Sequence, residues 1–168
     1  MTTLVLTVIG DDRSGLVADL SEIIASHGGS WATSEMAHLA GKFAGIVLVD
    51  IADDNVDALT DALAPLQQHL AITVQRGTPS PIPAVNRLTI DFVGDDRPGI
   101  VRQITDVIST AGASIESLSS DVVEAPMAGG NLFIATATVL LDDAEADSLQ
   151  TKLEDLADEL MVEFTFGR

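Results

Sequence analysis

The sequence predicts two small α+β domains in tandem, each in the order strand, helix, strand, strand, helix, strand. Three observations predict it. Gly10-Asp11-Asp12-Arg13-Ser14-Gly15-Leu16-Val17 returns 84 positions later as Gly94-Asp95-Asp96-Arg97-Pro98-Gly99-Ile100-Val101. The same succession of period-two and helical hydropathy patterns runs through both halves. Between the halves, Pro79, Pro81 and Pro83 alternate with other residues from Gly77 to Ala84, the composition of a semi-rigid extended linker.

In the first half, Thr2 to Ile9 alternates and is rich in Val, Ile and Leu, which reads as a strand. Gly10 to Ser14 is a tight turn. Leu16, Val17, Leu20, Ile23 and Ile24 then fall on one helical face, and Gly28-Gly29 ends that helix. Ser30 to Leu39 is a second strand, Gly41 a turn, and Phe43 to Ile51 a third strand, apolar at nearly every position. Asp53-Asp54 places acid at the positive end of a second helix, whose core stripe reads Val56, Leu59, Leu63, Leu66 and Leu70. Ala71 to Gln75 is the last strand.

The second half repeats this as Leu88–Val93, Gly99–Ala111, Ser114–Val123, Leu132–Leu141, Ala144–Leu160 and Met161–Phe166. Its register against the first half shifts to 90 after the second strand, where Phe43 matches Phe133 and Leu59, Leu63, Leu66 and Leu70 match Leu149, Leu153, Leu156 and Leu160. The added residues fit a loop at Glu124 to Gly130. The chain therefore divides into a first domain (1–77), a proline-rich linker (78–86) and a second domain (87–168), related by duplication.

This order is the split-βαβ, ferredoxin-like arrangement, an antiparallel four-stranded sheet with both helices on one face. Because Phe43 to Val49 is apolar on both faces, the open face of the sheet is expected to be covered by the sister domain or by a second chain.

Composition removes several function classes. The 168 residues carry 26 acidic against 8 basic side chains, a net charge of −18, which repels nucleic acid. No cysteine is present, so there is no disulfide, thiolate metal site or cysteine nucleophile. The N-terminal residues lack the basic start of a signal peptide, and no apolar run approaches the ~20 residues that cross a bilayer. An acidic, packed, cytoplasmic protein is expected.

The repeated loop is the candidate site. Gly15 and Gly99 fall in the first helical turn, where backbone N–H groups lack an intrahelical partner. Together with the helix dipole these attract a carboxylate, and Asp12 or Asp96 beside them can accept from an ammonium group. A zwitterionic amino acid carries both charges. The alternative is purely local: Asp12 and Asp96 cap their helices, and Pro98 fills a first helical position.

The motif Gly-Asp-Asp-Arg-Pro-Gly-Ile-Val after a strand, within βαββαβ, resembles the ACT domain, a small regulatory module that commonly binds amino acids. Two in tandem over Leu4–Arg76 and Leu88–Phe166 resemble the glycine cleavage system transcriptional repressor group. The resemblance implies a ligand held between this loop and the start of strand two, at an interface between ACT domains. Carried over by position, the ligand-binding residues are Asp11, Asp12, Arg13, Gly15, Leu16 and Ser30 in the first half. In the second half they are Asp95, Asp96, Arg97, Gly99, Ile100 and Ser114. The implied function is sensing of an amino acid such as glycine or serine. The signal would pass through protein contacts and a homo-oligomer, in transcriptional control of amino acid metabolism.

Other candidates are weaker. His27, His38 and His69 lie far apart without ligand spacing and read as structural. Asp11-Asp12 with Asp95-Asp96 offers too few convergent oxygens for Mg²⁺ or Ca²⁺, so no metal and no cofactor is expected. Trp31 reads as a core or interface aromatic, and the acidic second helices as solvated faces that can also steer a basic partner. No nucleophile elbow or matched acid–base pair points to an enzyme. The competing function is a ligand-free dimerisation or scaffold module.

Overall fold

The computed structural model describes residues 1–78, 86–125, 129–160 and 162–167. It divides into two compact units, Met1–Ser80 and Pro81–Arg168. The proline-rich stretch from Pro79 and the residues Pro126–Ala128 of the expected loop lie outside the described residues, as does Met161.

The first unit runs β1 (Thr2–Asp11), α1 (Leu16–Ser26), β2 (Ser30–Leu39), β3 (Lys42–Ile51), α2 (Val56–Leu63) and β4 (Leu70–Arg76). Its antiparallel sheet has the order β2-β3-β1-β4. Period-two alternation decides which residues go inside. Leu4, Leu6 and Val8 of β1 and Val47, Val49 and Ile51 of β3 are buried beneath Leu20 and Ile24 of α1 and Leu59 and Leu63 of α2. Each such side chain gains about 1.5–3 kcal/mol on burial. Trp31, read from the sequence as a core or interface aromatic, and Met36 of β2 are half-buried against the same core.

The second helix differs from its sequence pattern at both ends. A 3₁₀ turn at Asp53–Asn55 precedes α2, and another at Ala64–Gln68 follows it. Pro65 is the reason for the second, because it lacks an N–H and its ring obstructs the preceding turn of an α-helix. Leu66 is therefore only partly buried, and Leu70 is the first residue of β4 rather than the end of a helical stripe.

The second unit runs β5 (Asn86–Asp95), α3 (Ile100–Thr110), β6 (Ser114–Glu124), β7 (Asn131–Leu141), α4 (Asp143–Leu160) and β8 (Val162–Gly167), with sheet order β6-β7-β5-β8. Ile90, Phe92, Ala135, Ala137 and Val139 face Ile104, Ile108, Leu149 and Leu153 in one core. Phe92 meets Phe164 edge to face at 5.2 Å, the favourable geometry for two ring quadrupoles.

The edge strands β2 and β6 share one irregularity. The β2–β3 register shifts between Trp31 and Thr33, and the β6–β7 register between Ile115 and Ser117, so a β-bulge recurs at equivalent positions. Among the described residues no helix is long and apolar enough to cross a membrane.

Candidate functional site

In both units the segment after the first strand turns into its helix through a left-handed glycine, Gly15 (φ 94°) and Gly99 (φ 88°). Only glycine adopts this conformation without crowding Cβ against the following carbonyl. Each glycine is the N-cap residue, and no side chain caps either helix. Asp12 and Asp96 are thus not the helix caps, because they lie three residues before the capping position. Their backbone N–H groups instead donate to Gly41 O (3.0 Å) and Asn131 O (2.9 Å) of the adjoining hairpins. Pro98 likewise precedes the cap instead of occupying the first helical position, since α3 starts at Ile100.

The first intrahelical bonds run from Asp19 N–H to Gly15 O (2.8 Å) and from Gln103 N–H to Gly99 O (3.1 Å). This leaves Val17 and Ala18 in α1, and Val101 and Arg102 in α3, with N–H groups that have no acceptor within their helix. Leu16 and Ile100 are each 3% exposed, their side chains packed inward, so they offer a ligand only backbone.

Charge separates the two loops. In the first, Lys42 donates to Asp11, His38 Nε2 lies 3.6 Å from Asp12, and Arg13 donates to Asp19 at 2.9 Å. In the second, all three partners are replaced by uncharged residues. The strand registers put Leu132 where Lys42 stands and Val122 where His38 stands, and the 84-residue offset puts Gln103 where Asp19 stands. Arg97 donates to the neutral Gln103 side chain at 3.0 Å, and its Nε is buried without a hydrogen-bond partner. Among the described residues, neither Asp95 nor Asp96 has a side-chain partner. A Cβ at Gly99 would meet no atom within 4 Å, whereas at Gly15 the Asp19 carboxylate lies 4.0 Å away.

Ser30 and Ser114 lie elsewhere. Ser30 pairs with Asp50, which pairs with Thr3 at the start of β1. The loop leaves the other end of that strand after Asp11, so eight residues of strand, about 27 Å, separate them. Ser114 pairs with Leu140, which pairs with Arg87, at the same remove from Asp95. Within one domain the loop and the start of the second strand do not converge.

The remaining candidates have local roles. His27 Nδ1 bonds Ile23 O at 2.8 Å at the end of α1. Among the described residues no group of three or more His, Asp or Glu side chains forms a metal-binding cluster. Sequence reasoning missed Asp19, Lys42 and Gln103, and read His38 as structural where it stands beside Asp12. The signal for Asp19 and Gln103 was present, as an acceptor six residues after each loop arginine.

Comparison with known proteins agrees with this architecture. The ACT domain family matches residues 2–76 and, separately, residues 88–158. The chain is 37% identical over 76 residues to a UPF0237 protein of Methanopyrus kandleri, spanning 44% of this chain and 84% of the relative. An unknown protein from Galdieria sulphuraria superposes with a TM-score of 0.89 at 28% identity, over 98% of this chain and 96% of that one. A candidate glycine cleavage system transcriptional repressor superposes with a TM-score of 0.70 at 21% identity, over 99% and 96%, which speaks for the fold. Two sequence-matched modules, each with the ferredoxin-like order and the glycine-turned loop, leave one assignment: the chain belongs to the ACT domain family and carries two such domains in tandem.

Proposed function

We propose that this chain is a regulatory protein that senses a small amino acid at the loop of its second domain. The observation that carries the reading is the contrast between the loops. The first pairs Asp11 with Lys42 and Arg13 with Asp19, whereas the second holds a cationic Arg97 on a neutral acceptor beside two carboxylates without partners. A ligand carboxylate fits the Arg97 guanidinium and the N–H groups of Val101 and Arg102, where the helix dipole favours an anion. A ligand ammonium fits Asp96, with Asp95 beside it. The open space at Gly99 suits backbone approach by a ligand as small as glycine or serine. At roughly 1 kcal/mol per heavy atom, below the ceiling of about 1.5, affinity falls in the micromolar to millimolar range, the range of a metabolite sensor. Ser114 contributes from a second copy of the chain, which makes a homo-oligomer part of the reading.

The likeness to a candidate glycine cleavage repressor supports a role in transcriptional control of amino acid metabolism in the cytoplasm. With a net charge of −18, such control runs through a protein partner rather than through DNA. The internally paired first loop favours a second, complementary reading for the first domain, that of a ligand-free assembly module.

Isothermal titration with glycine, serine and the other amino acids tests the sensor. Heat from at least one of them is expected, abolished by Asp96→Ala and retained in Asp12→Ala. The absence both of heat and of any shift in unfolding temperature at about 10 mM of every amino acid rejects it.

A further inference from the structure

The open faces of the two sheets have diverged in a single direction. Across the first sheet, the outward cross-strand pairs between β1 and β3 are Val5–Leu48, Thr7–Ile46 and Ile9–Ala44. At the equivalent places in the second they are Thr89–Thr138, Asp91–Thr136 and Val93–Ile134. There Thr136 donates to Asp91 at 2.6 Å, so the second face satisfies itself and meets water. The first face has such a bond only at its end, where Thr3 donates to Asp50 at 2.6 Å, and its centre is apolar. Ile9 is 53% and Ile46 51% exposed, and around them Ala44 and Ala71 floor a shallow depression of about 490 Å³. Exposed apolar patches of this kind mark contact sites.

We propose that the open face of the first sheet is the contact between two copies of this chain, packed face to face about a two-fold axis. This rests on the homo-oligomeric part of the reading above and names its surface. Two arguments favour a second copy. The first is charge. The three central pairs carry no ionisable group. The charges on this face are Glu35 on the edge strand β2, which lies across from Ile46 and lines the depression, Asp50 at the end of β3, and Lys42, which is paired with Asp11. The acidic residues Asp53, Asp54, Asp57 and Asp61 belong to the helix layer instead. Two chains of charge −18 meet here with little like-charge contact. The second argument is area. Four strands about 4.8 Å apart and roughly eight residues long present about 500 Å² per copy, hence about 1,000 Å² in all, the size at which specific interfaces begin. The same patch on both copies is self-complementary, as a two-fold axis requires.

Sedimentation equilibrium of the full chain without amino acids tests the proposal. The expected mass is twice the 17.5 kDa chain, with tighter association as salt screens the net charges. Ile46→Asp buries two unpartnered carboxylates and weakens the pair at least about a hundredfold. Thr136→Asp, at the equivalent position in the second sheet, leaves the mass unchanged. A monomeric wild-type chain overturns the proposal. So does a dimer that Ile46→Asp leaves intact, or one that salt dissociates, or one that Thr136→Asp disrupts equally. If Ile46→Asp does not fold, as judged by circular dichroism, Ile9→Gln on the same face decides between the same outcomes. No ligand enters this measurement. A chain that dimerises here but gives no heat with amino acids refutes the sensor alone, and a binding-competent monomer refutes the face alone.

Discussion

Arg13 and Asp19, six residues apart, join at 2.9 Å across the mouth of α1 and neutralise each other. Arg97 and Gln103 make the same bridge at 3.0 Å without cancelling anything. On the reading proposed above, Arg97→Gln weakens amino acid binding about ten- to a hundredfold, the loss of a hydrogen bond to a charged group worth about 1.5–3 kcal/mol. Arg13→Gln leaves affinity unchanged and costs less than about 1 kcal/mol of stability, because that pair is solvent-exposed. Calorimetric titration of both variants checks the difference.

Exchanging the partners exchanges the behaviour. Gln103→Asp gives the second loop its own counter-ion, so binding falls by a factor similar to that of Arg97→Gln while the fold is kept. Equal affinity in Gln103→Asp and wild type removes the charge contrast as an explanation.

The glycines of the loop separate strain from space. Gly15→Ala and Gly99→Ala force a Cβ into the left-handed region and each cost about 1–2 kcal/mol, although a Cβ at Gly99 has open space around it. Gly10→Ala, at the end of β1, is expected to cost more, about 3 kcal/mol. Its Cβ overlaps the His69 carbonyl oxygen and lies 2.8 Å from Leu70 Cδ2, and backbone yields less readily than a side chain. Urea unfolding of the three variants gives the order.

Asp53 links acid stability to the start of β1. The Thr2 hydroxyl donates to its carboxylate, the Met1 ammonium group bonds it at 3.0 Å, and together they hold its pKa below the ordinary aspartate value. A depressed folded-state pKa contributes stability above the unfolded value and loses it as pH falls through the folded one. Thr2→Val removes the largest cause. Its Asp53 titration, followed by NMR, is therefore expected to move up toward the ordinary value. The stability difference from wild type should be present at neutral pH and shrink below the folded-state pKa. A titration unchanged by Thr2→Val contradicts the assignment.

Much of the fold was legible because local signals and tertiary needs agree. The bounds of β2 and the glycine stop after α1 follow from alternation and from Gly28-Gly29. The helix before β4 was misread at its end because Leu70 keeps the i, i+4 spacing from Leu66, and that pattern hid the break imposed by Pro65. The loop itself was legible as a repeat, yet its charge state was not. Lys42 reaches Asp11 through strand pairing, and pairing partners are not written in the local sequence. The distance of Ser30 from the loop has a topological cause. An α-helix that returns along the sheet delivers the next strand to the end where the first one began.

The bulges at Trp31/Thr33 and Ile115/Ser117 bear on what these sheets avoid. An outer strand with an uninterrupted ladder of unpaired amides is a template for runaway stacking into fibrils. A kink near the start of β2 and of β6 interrupts that template along one edge of each sheet. Growth strand upon strand is thereby discouraged along those two edges.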